Sequence, residues 1–144
     1  MKAPSRSDVA RDTRRAIRLF KTRSLGFKIF AVVIAPLIYG LITGIALGSS
    51  AAAYWVLIAI GVIGAISSGY EHEEPLSAVW RGCLSGAFFT GGLLGILWIS
   101  GWTPRVVLLA PSVFFPLNCI AGAVICSGVA WWRHRAEGDA AVQV

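Results

Sequence analysis

Residues 106–132 read VVLLAPSVFFPLNCIAGAVICSGVAWW, and this run of 27 residues without a charged side chain decides the fold. A helix needs about 20 apolar residues to cross the hydrocarbon core of a bilayer. The run exceeds that length, so the sequence predicts a membrane span that tilts or bends at Pro111 and Pro116.

Three further runs of similar length and low charge precede it. The predicted spans are residues 27–47, 51–68, 78–100 and 106–132, separated by short breaks rich in Gly, Ser, Pro or acidic residues. A closed β-barrel would instead show short segments of strict apolar and polar alternation. The continuous runs therefore predict an all-α integral membrane four-helix bundle made of two helical hairpins.

The composition agrees with this class. The chain has 144 residues, of which 56% are hydrophobic and 14% charged, whereas about 25% of the residues of a soluble domain are charged. The predicted domains are a basic cytoplasmic or interfacial segment (1–25), a transmembrane domain (26–132) and a cytoplasmic tail (133–144). Because the basic residues flank apolar spans, the net charge of +6 indicates anionic lipid headgroups as partners and no nucleic acid.

The distribution of Lys and Arg predicts the orientation, since these residues are retained on the cytoplasmic side. With four spans, 12 of the 13 basic residues fall on one side and Arg105 alone falls on the other. The prediction is a multi-pass protein of the cell membrane with both termini cytoplasmic. Aromatic residues agree, because they fall at the two predicted interfaces: Tyr54, Trp55, Trp98 and Trp102 at the outer one, and Tyr70, Trp80, Trp131 and Trp132 at the inner one.

The N-terminal segment has a helical pattern. Ser7 and Asp8 offer a helix N-cap, and apolar residues follow at helical intervals. Such a helix would lie among the lipid headgroups with its arginines near the phosphates. The alternative is a partly disordered segment that only fixes the orientation. The candidate headgroup ligands are Arg11, Arg14, Arg15 and Arg18.

Small residues recur at intervals of four in every span, and the glycine rows predict sites of close helix packing. The candidate packing residues are Gly40, Gly44 and Gly48 in the first span, and Gly82, Gly86, Gly91 and Gly95 in the third. With rows on two faces, the third span is the predicted central helix. Two interpretations remain open for the first-span row: packing within one bundle, or a seam between copies of a homo-oligomer.

The loop after the second span concentrates ionisable side chains, namely Glu71, His72, Glu73 and Glu74. These residue types are metal ligands, and a histidine between carboxylates is also a candidate pH sensor. The alternative is a solvated turn that precedes the third span. Arg81, one turn inside that span, is expected to reach the interface and pair with Glu74.

Asn118 is the most buried polar residue expected in the fourth span. Beside Pro116, it is a candidate for lining a permeation path or for a hydrogen bond to a neighbouring helix.

No pattern of catalytic residues and no cofactor motif is legible in the sequence, so the prediction is a non-enzyme without a cofactor. Three hypotheses follow. The first is a helix-packing, oligomerising or accessory protein that associates with itself or a larger membrane partner. The second is a small oligomeric channel or transporter, and the third is a metal- or pH-responsive sensor that uses the loop 71–74.

Overall fold

The computed structural model describes residues 23–72 and 75–142, with side chains as far as residue 136. In this part of the chain all regular structure is helical, which confirms the all-α prediction. Each of the four helices contains a segment long and apolar enough to cross a membrane, so the chain is a multi-pass membrane protein. The helices are α1 (Leu25–Ser49), α2 (Ala51–Tyr70), α3 (Pro75–Ser100) and α4 (Pro111–Val142).

Helix α1 changes its winding where a proline interrupts its hydrogen bonds. Its second segment, Phe30–Ile34, is a π-helix, and Pro36 follows at the start of the regular α-helix Ala35–Ser49. Proline has no N–H for the carbonyl four residues earlier and its ring crowds that carbonyl. A wider π turn relieves this conflict while the helix continues.

The connections between helices are short and capped. Ser50 adopts an extended conformation between α1 and α2, and its side chain accepts a hydrogen bond from the Ala53 amide, as an N-cap does. After α3, Gly101 has φ +65° and donates its amide to the Leu97 carbonyl. This left-handed conformation favours glycine and ends the helix.

Helix α4 begins at Pro111, five residues after the predicted start of the fourth span at Val106. Proline restricts the residue before it to extended conformations and is itself favoured in the first helical turn. Residues 106–110 are therefore apolar without being helical, and Val106 and Leu108 pack on the bundle core. At its other end, α4 continues through the predicted tail to Val142.

Helix α3 packs against both α1 and α4, as predicted for the central helix, whereas α2 contacts mainly α4 and α1. One core cluster lies near the loop between α3 and α4, and a second near the opposite end. The buried residues of the first are Leu47, Tyr54, Leu93, Leu97 and Phe114, and those of the second are Ala78, Cys126 and Ala130. Many large apolar side chains face outward, as expected where the surrounding solvent is lipid.

Candidate functional site

The glycine row of α1 is used inside the bundle. A Cβ on Gly40 would lie 2.9 Å from the Phe89 carbonyl carbon, and one on Gly44 would lie 2.8 Å from the Leu93 carbonyl oxygen. Gly48 lies against the ring of Trp102. The row therefore seats α3 and the loop that follows it, and it is not open for the predicted seam between copies.

The seam between α3 and α4 is also close. A Cβ on Gly82 would lie 2.5 Å from the Gly122 carbonyl carbon, and one on Gly86 would lie 2.5 Å from the Asn118 carbonyl oxygen. Both obstacles are backbone atoms, so the two helices depend on glycine here. Gly122 was absent from the predicted packing residues, although its i+4 neighbour Cys126 is also small.

In the second predicted glycine row of α3, the residue that packs against α1 is Gly92 and not the predicted Gly91. Gly91 and Gly95 have open space where a side chain would lie, whereas Gly92 lies against the backbone of α1 at Leu37 and Leu41. A helix turns by 100° per residue, so neighbouring glycines lie on different faces. Gly91 and Gly95 consequently belong to an outward face of α3 that this bundle leaves uncovered.

That outward face has bulky ends. Trp80 is 65% exposed and Trp98 87% exposed, and the small residues Ala87, Gly91 and Gly95 lie between them along the helix. Together these five residues form what we call the α3 face. Nothing lies within 4 Å of a Cβ added to Gly91 or Gly95, and we call this open space the depression.

Asn118 is half-buried, and its side-chain amide donates a 2.8 Å hydrogen bond to the Phe114 carbonyl of its own helix. Its backbone, rather than its side chain, forms the contact with Gly86 of α3. The described hydrogen bond is thus local to α4. It offers no support for a polar pore lining at this residue.

A polar network lies at the end of the bundle where α2 meets α3. We call it the arginine cluster, and its members are Arg23, Glu71, His72, Ser77 and Arg81. Glu71 accepts hydrogen bonds from two arginines, 3.1 Å from Arg23 and 2.9 Å from Arg81. The Arg81 side chain is only 9% exposed, so its charge depends on these partners.

The described carboxylate that pairs with Arg81 belongs to Glu71. The predicted partner, Glu74, lies outside the described residues, as does Glu73. Glu71 caps the C-terminal end of α2, and the turn there brings its side chain towards α3. Arg81 also donates to the Ser68 carbonyl at 3.4 Å and so joins the end of α2 to α3.

His72 lies inside the arginine cluster and is 6% exposed. Its Nε2 is 3.3 Å from Nη1 of Arg81, and its Nδ1 is 2.9 Å from the Ser77 hydroxyl. A guanidinium can only donate, so a hydrogen bond between these two atoms requires an accepting Nε2 and a neutral ring. The single ring proton then resides on Nδ1, which donates to Ser77.

The electrostatic environment also favours the neutral ring. Burial lowers the pKa of His72 below the ordinary value of 6.5, and the positive charge of Arg81 lowers it further, while Glu71 acts in the opposite direction. Desolvation is the largest of these causes. The ring is therefore harder to protonate than a histidine in water.

Further contacts extend the basic end of the bundle. Arg133 of α4 donates to the Tyr70 carbonyl at the end of α2, and Arg135 lies over the ring of Trp131. By contrast, Arg105 lies at the opposite end, where its Nε donates to the Gly48 carbonyl. In the described residues, the arginines of α1, α3 and α4 thus share one end.

The other predicted site residues stand as follows. Within residues 23–72 and 75–142, no three His, Cys, Asp or Glu side chains come together as metal ligands. The candidate headgroup ligands Arg11, Arg14, Arg15 and Arg18 lie outside the described residues. Arg23 and Ser77 were not predicted as site members. Their only sequence signal was position: Arg23 lies just before the predicted first span, and Ser77 lies just before the predicted third span.

No protein family model, no curated protein and no solved structure matches the sequence. Functional argument therefore rests on the α3 face and the arginine cluster themselves.

Proposed function

We propose that the chain is a non-catalytic, multi-pass protein of the cell membrane that associates through its α3 face, in the first place with a second copy of itself. The observation that carries the proposal is the open space over Gly91 and Gly95, in a bundle whose other α3 glycines meet backbone. Glycines without a packing partner in the monomer leave room for the backbone of another helix.

The physical reason is the nature of the solvent. Lipid tails are as apolar as leucine, so helices in a bilayer associate through close packing rather than through burial of apolar area. Two α3 faces brought together would exchange loose lipid contacts for dense backbone contacts and weak Cα–H hydrogen bonds. The exposed rings of Trp80 and Trp98 would flank such a contact and add surface area at its ends.

Both termini are proposed to be cytoplasmic. Support comes from the charge distribution, since 12 of 13 basic residues belong to the predicted inner side. Arg23, Arg81 and Arg133 gather at one end of the bundle and Arg105 lies at the other. A reporter enzyme fused after residue 144 should be active on the same side as one fused before residue 1.

The test of association is the mass of the protein in native lipid nanodiscs or native membranes. Leucine at Gly91 and at Gly95 should shift the population from dimer to monomer, because the side chains fill the depression. The matched control is Gly128→Leu in α4, which also adds a side chain in open space and should leave the mass unchanged. A wild-type protein that is monomeric in both settings would refute self-association.

A larger complex with a different membrane protein in place of the dimer would also refute self-association. If Gly91→Leu released that partner from the complex, the α3 face would be the binding site for the partner. The channel hypothesis has lost two supports, because the α1 glycine row is occupied and Asn118 bonds within α4.

A further inference from the structure

The arginine cluster joins three separate parts of the chain through two adjacent residues. Glu71 holds Arg23 at the start of α1 and Arg81 in α3, and His72 holds Arg81 and Ser77. The turn at residues 71–72 is thus held to α3 mainly by side chains that are charged or can be protonated. A change of charge at one of them alters the links that this residue makes with charged partners.

The contact between His72 and Arg81 exists only for an unprotonated ring. If Nε2 gained a proton, an N–H would face the N–H of a guanidinium at 3.3 Å, and two positive charges would share a site that is largely shielded from water. Repulsion would replace the hydrogen bond. The bond from Nδ1 to Ser77 could persist, since both ring nitrogens of an imidazolium donate.

We propose that His72 is a proton-controlled latch: its neutral ring holds the 71–72 turn against α3, and its protonation on acidification releases the turn together with the Arg23 end of α1. Release of Arg23 follows because Glu71 is covalently adjacent to the ring and moves with it. Glu71 favours an imidazolium, but its two oxygens already bind Arg23 and Arg81, so a charged ring competes with an arginine for the carboxylate.

Each element next to the arginine cluster supplies charged or polar groups. Helix α3 supplies Arg81 and Ser77, which contact the ring, and the end of α2 supplies Glu71 and the Ser68 carbonyl, which bind Arg81. Arg23, just before α1, binds Glu71; in α4, Arg133 binds the Tyr70 carbonyl and the Cys126 thiol lies near Arg81. Among the described residues, the two arginines of the cluster outnumber its one carboxylate, which opposes a further positive charge.

The pH range follows from the direction of the shift. The released ring has an ordinary pKa near 6.5 and the latched ring a lower one, so the released form binds protons more readily. Acidification below about pH 6.5 therefore favours release. The effect is complete only when the pH lies below the pKa of the latched ring. Each unit between the two pKa values multiplies the equilibrium for release by about ten.

The first measurement is the protonation state of the ring. The chain contains only two histidines, so the full-length His134→Gln variant, labelled with ¹⁵N-histidine in nanodiscs, reports His72 alone. We expect the neutral Nδ1–H form at pH 7.5 and a protonation midpoint below 6.5. An Nε2–H form, or a midpoint at or above 6.5, would overturn the latch.

The second measurement is release itself, followed by hydrogen exchange of the backbone amides of residues 70–72 and 76–80, normalised to the intrinsic exchange rate at each pH. Protection should fall between pH 7.5 and 5 in the wild type and in His134→Gln. It should be independent of pH in His72→Gln, which keeps a neutral acceptor near Arg81. Constant protection in the wild type, or an equal fall in His72→Gln, would overturn the proposal.

The proposed latch and the proposed association through the α3 face can be refuted independently of each other. His72→Gln should leave the mass of the assembled protein unchanged, and Gly91→Leu should leave the pH profile of protection unchanged. A loss of both properties in one variant would indicate misfolding, which a matched far-ultraviolet circular dichroism spectrum detects.

Discussion

Alanine at Gly82 should loosen the bundle, because the added Cβ has no room. It would lie 2.5 Å from the Gly122 carbonyl carbon and 2.9 Å from the Ala123 Cα. Carbon atoms in good contact are about 3.5–4.0 Å apart, so α3 and α4 must separate locally by about 1 Å. A gap of that size removes a quarter to a half of the dispersion energy at the seam.

The magnitude follows from two opposing effects. Overpacking of this kind costs about 1–3 kcal/mol, whereas replacement of a helical glycine by alanine gains about 0.5–1 kcal/mol in backbone entropy. The matched control is Gly128→Ala in α4, outside the α3 face, where nothing lies within 4 Å of the added Cβ and only the gain applies. The two variants should therefore differ by about 1–3 kcal/mol, with Gly82→Ala the less stable.

The assay is reversible unfolding from mild detergent into sodium dodecyl sulfate, followed by the fluorescence of the six tryptophans. The double variant Gly82→Ala with Gly122→Ala provides a second check. Both Cβ atoms enter the same gap, so the second substitution should cost less once the first has separated the helices. Equal stability of Gly82→Ala and Gly128→Ala, within about 0.5 kcal/mol, would refute the packing argument.

Three further outcomes are expected. Tyr39→Phe removes the 2.6 Å hydrogen bond from the Tyr39 hydroxyl to the Leu57 carbonyl, which joins α1 to α2. This substitution should reduce the free energy of unfolding by about 0.6 kcal/mol in the same assay. Glu71→Gln leaves the mostly buried Arg81 without its carboxylate and should reduce it by about 1.5–3 kcal/mol; an unchanged value would mean that Arg81 finds another partner. The thermal midpoint of the wild type should fall as the pH drops below about 6.5, since burial and Arg81 lower the pKa of His72 in the folded state, and this fall should be smaller in His72→Gln.

The number of helices and their apolar character were predictable from the sequence, because long uncharged runs have few other stable solutions in a bilayer. The start of α4 was not. Hydropathy does not distinguish a helix from an apolar segment without regular structure, and residues 106–110 are the latter. Pro111 indicated where α4 begins, since a proline in the first turn commonly marks a helix start.

The arginine cluster was predictable in place but not in detail. The position of Arg81 one turn inside the third span indicated that it would reach the interface near the acidic loop. The pairing of Arg81 with Glu71 depends on the direction of the turn at the end of α2, which a sequence of adjacent ionisable residues does not specify. The burial of His72 depends on the same turn.

The glycines of α3 divide into an inner and an outer group, and this division separates structure from function. Gly82, Gly86 and Gly92 meet the backbones of α4 and α1, so their role is complete within one chain. Gly91 and Gly95 meet nothing, yet each lowers the intrinsic stability of the helix relative to alanine. A helix that keeps glycine on its outward face forgoes that stability, and a second backbone seated against the α3 face would restore it as close packing.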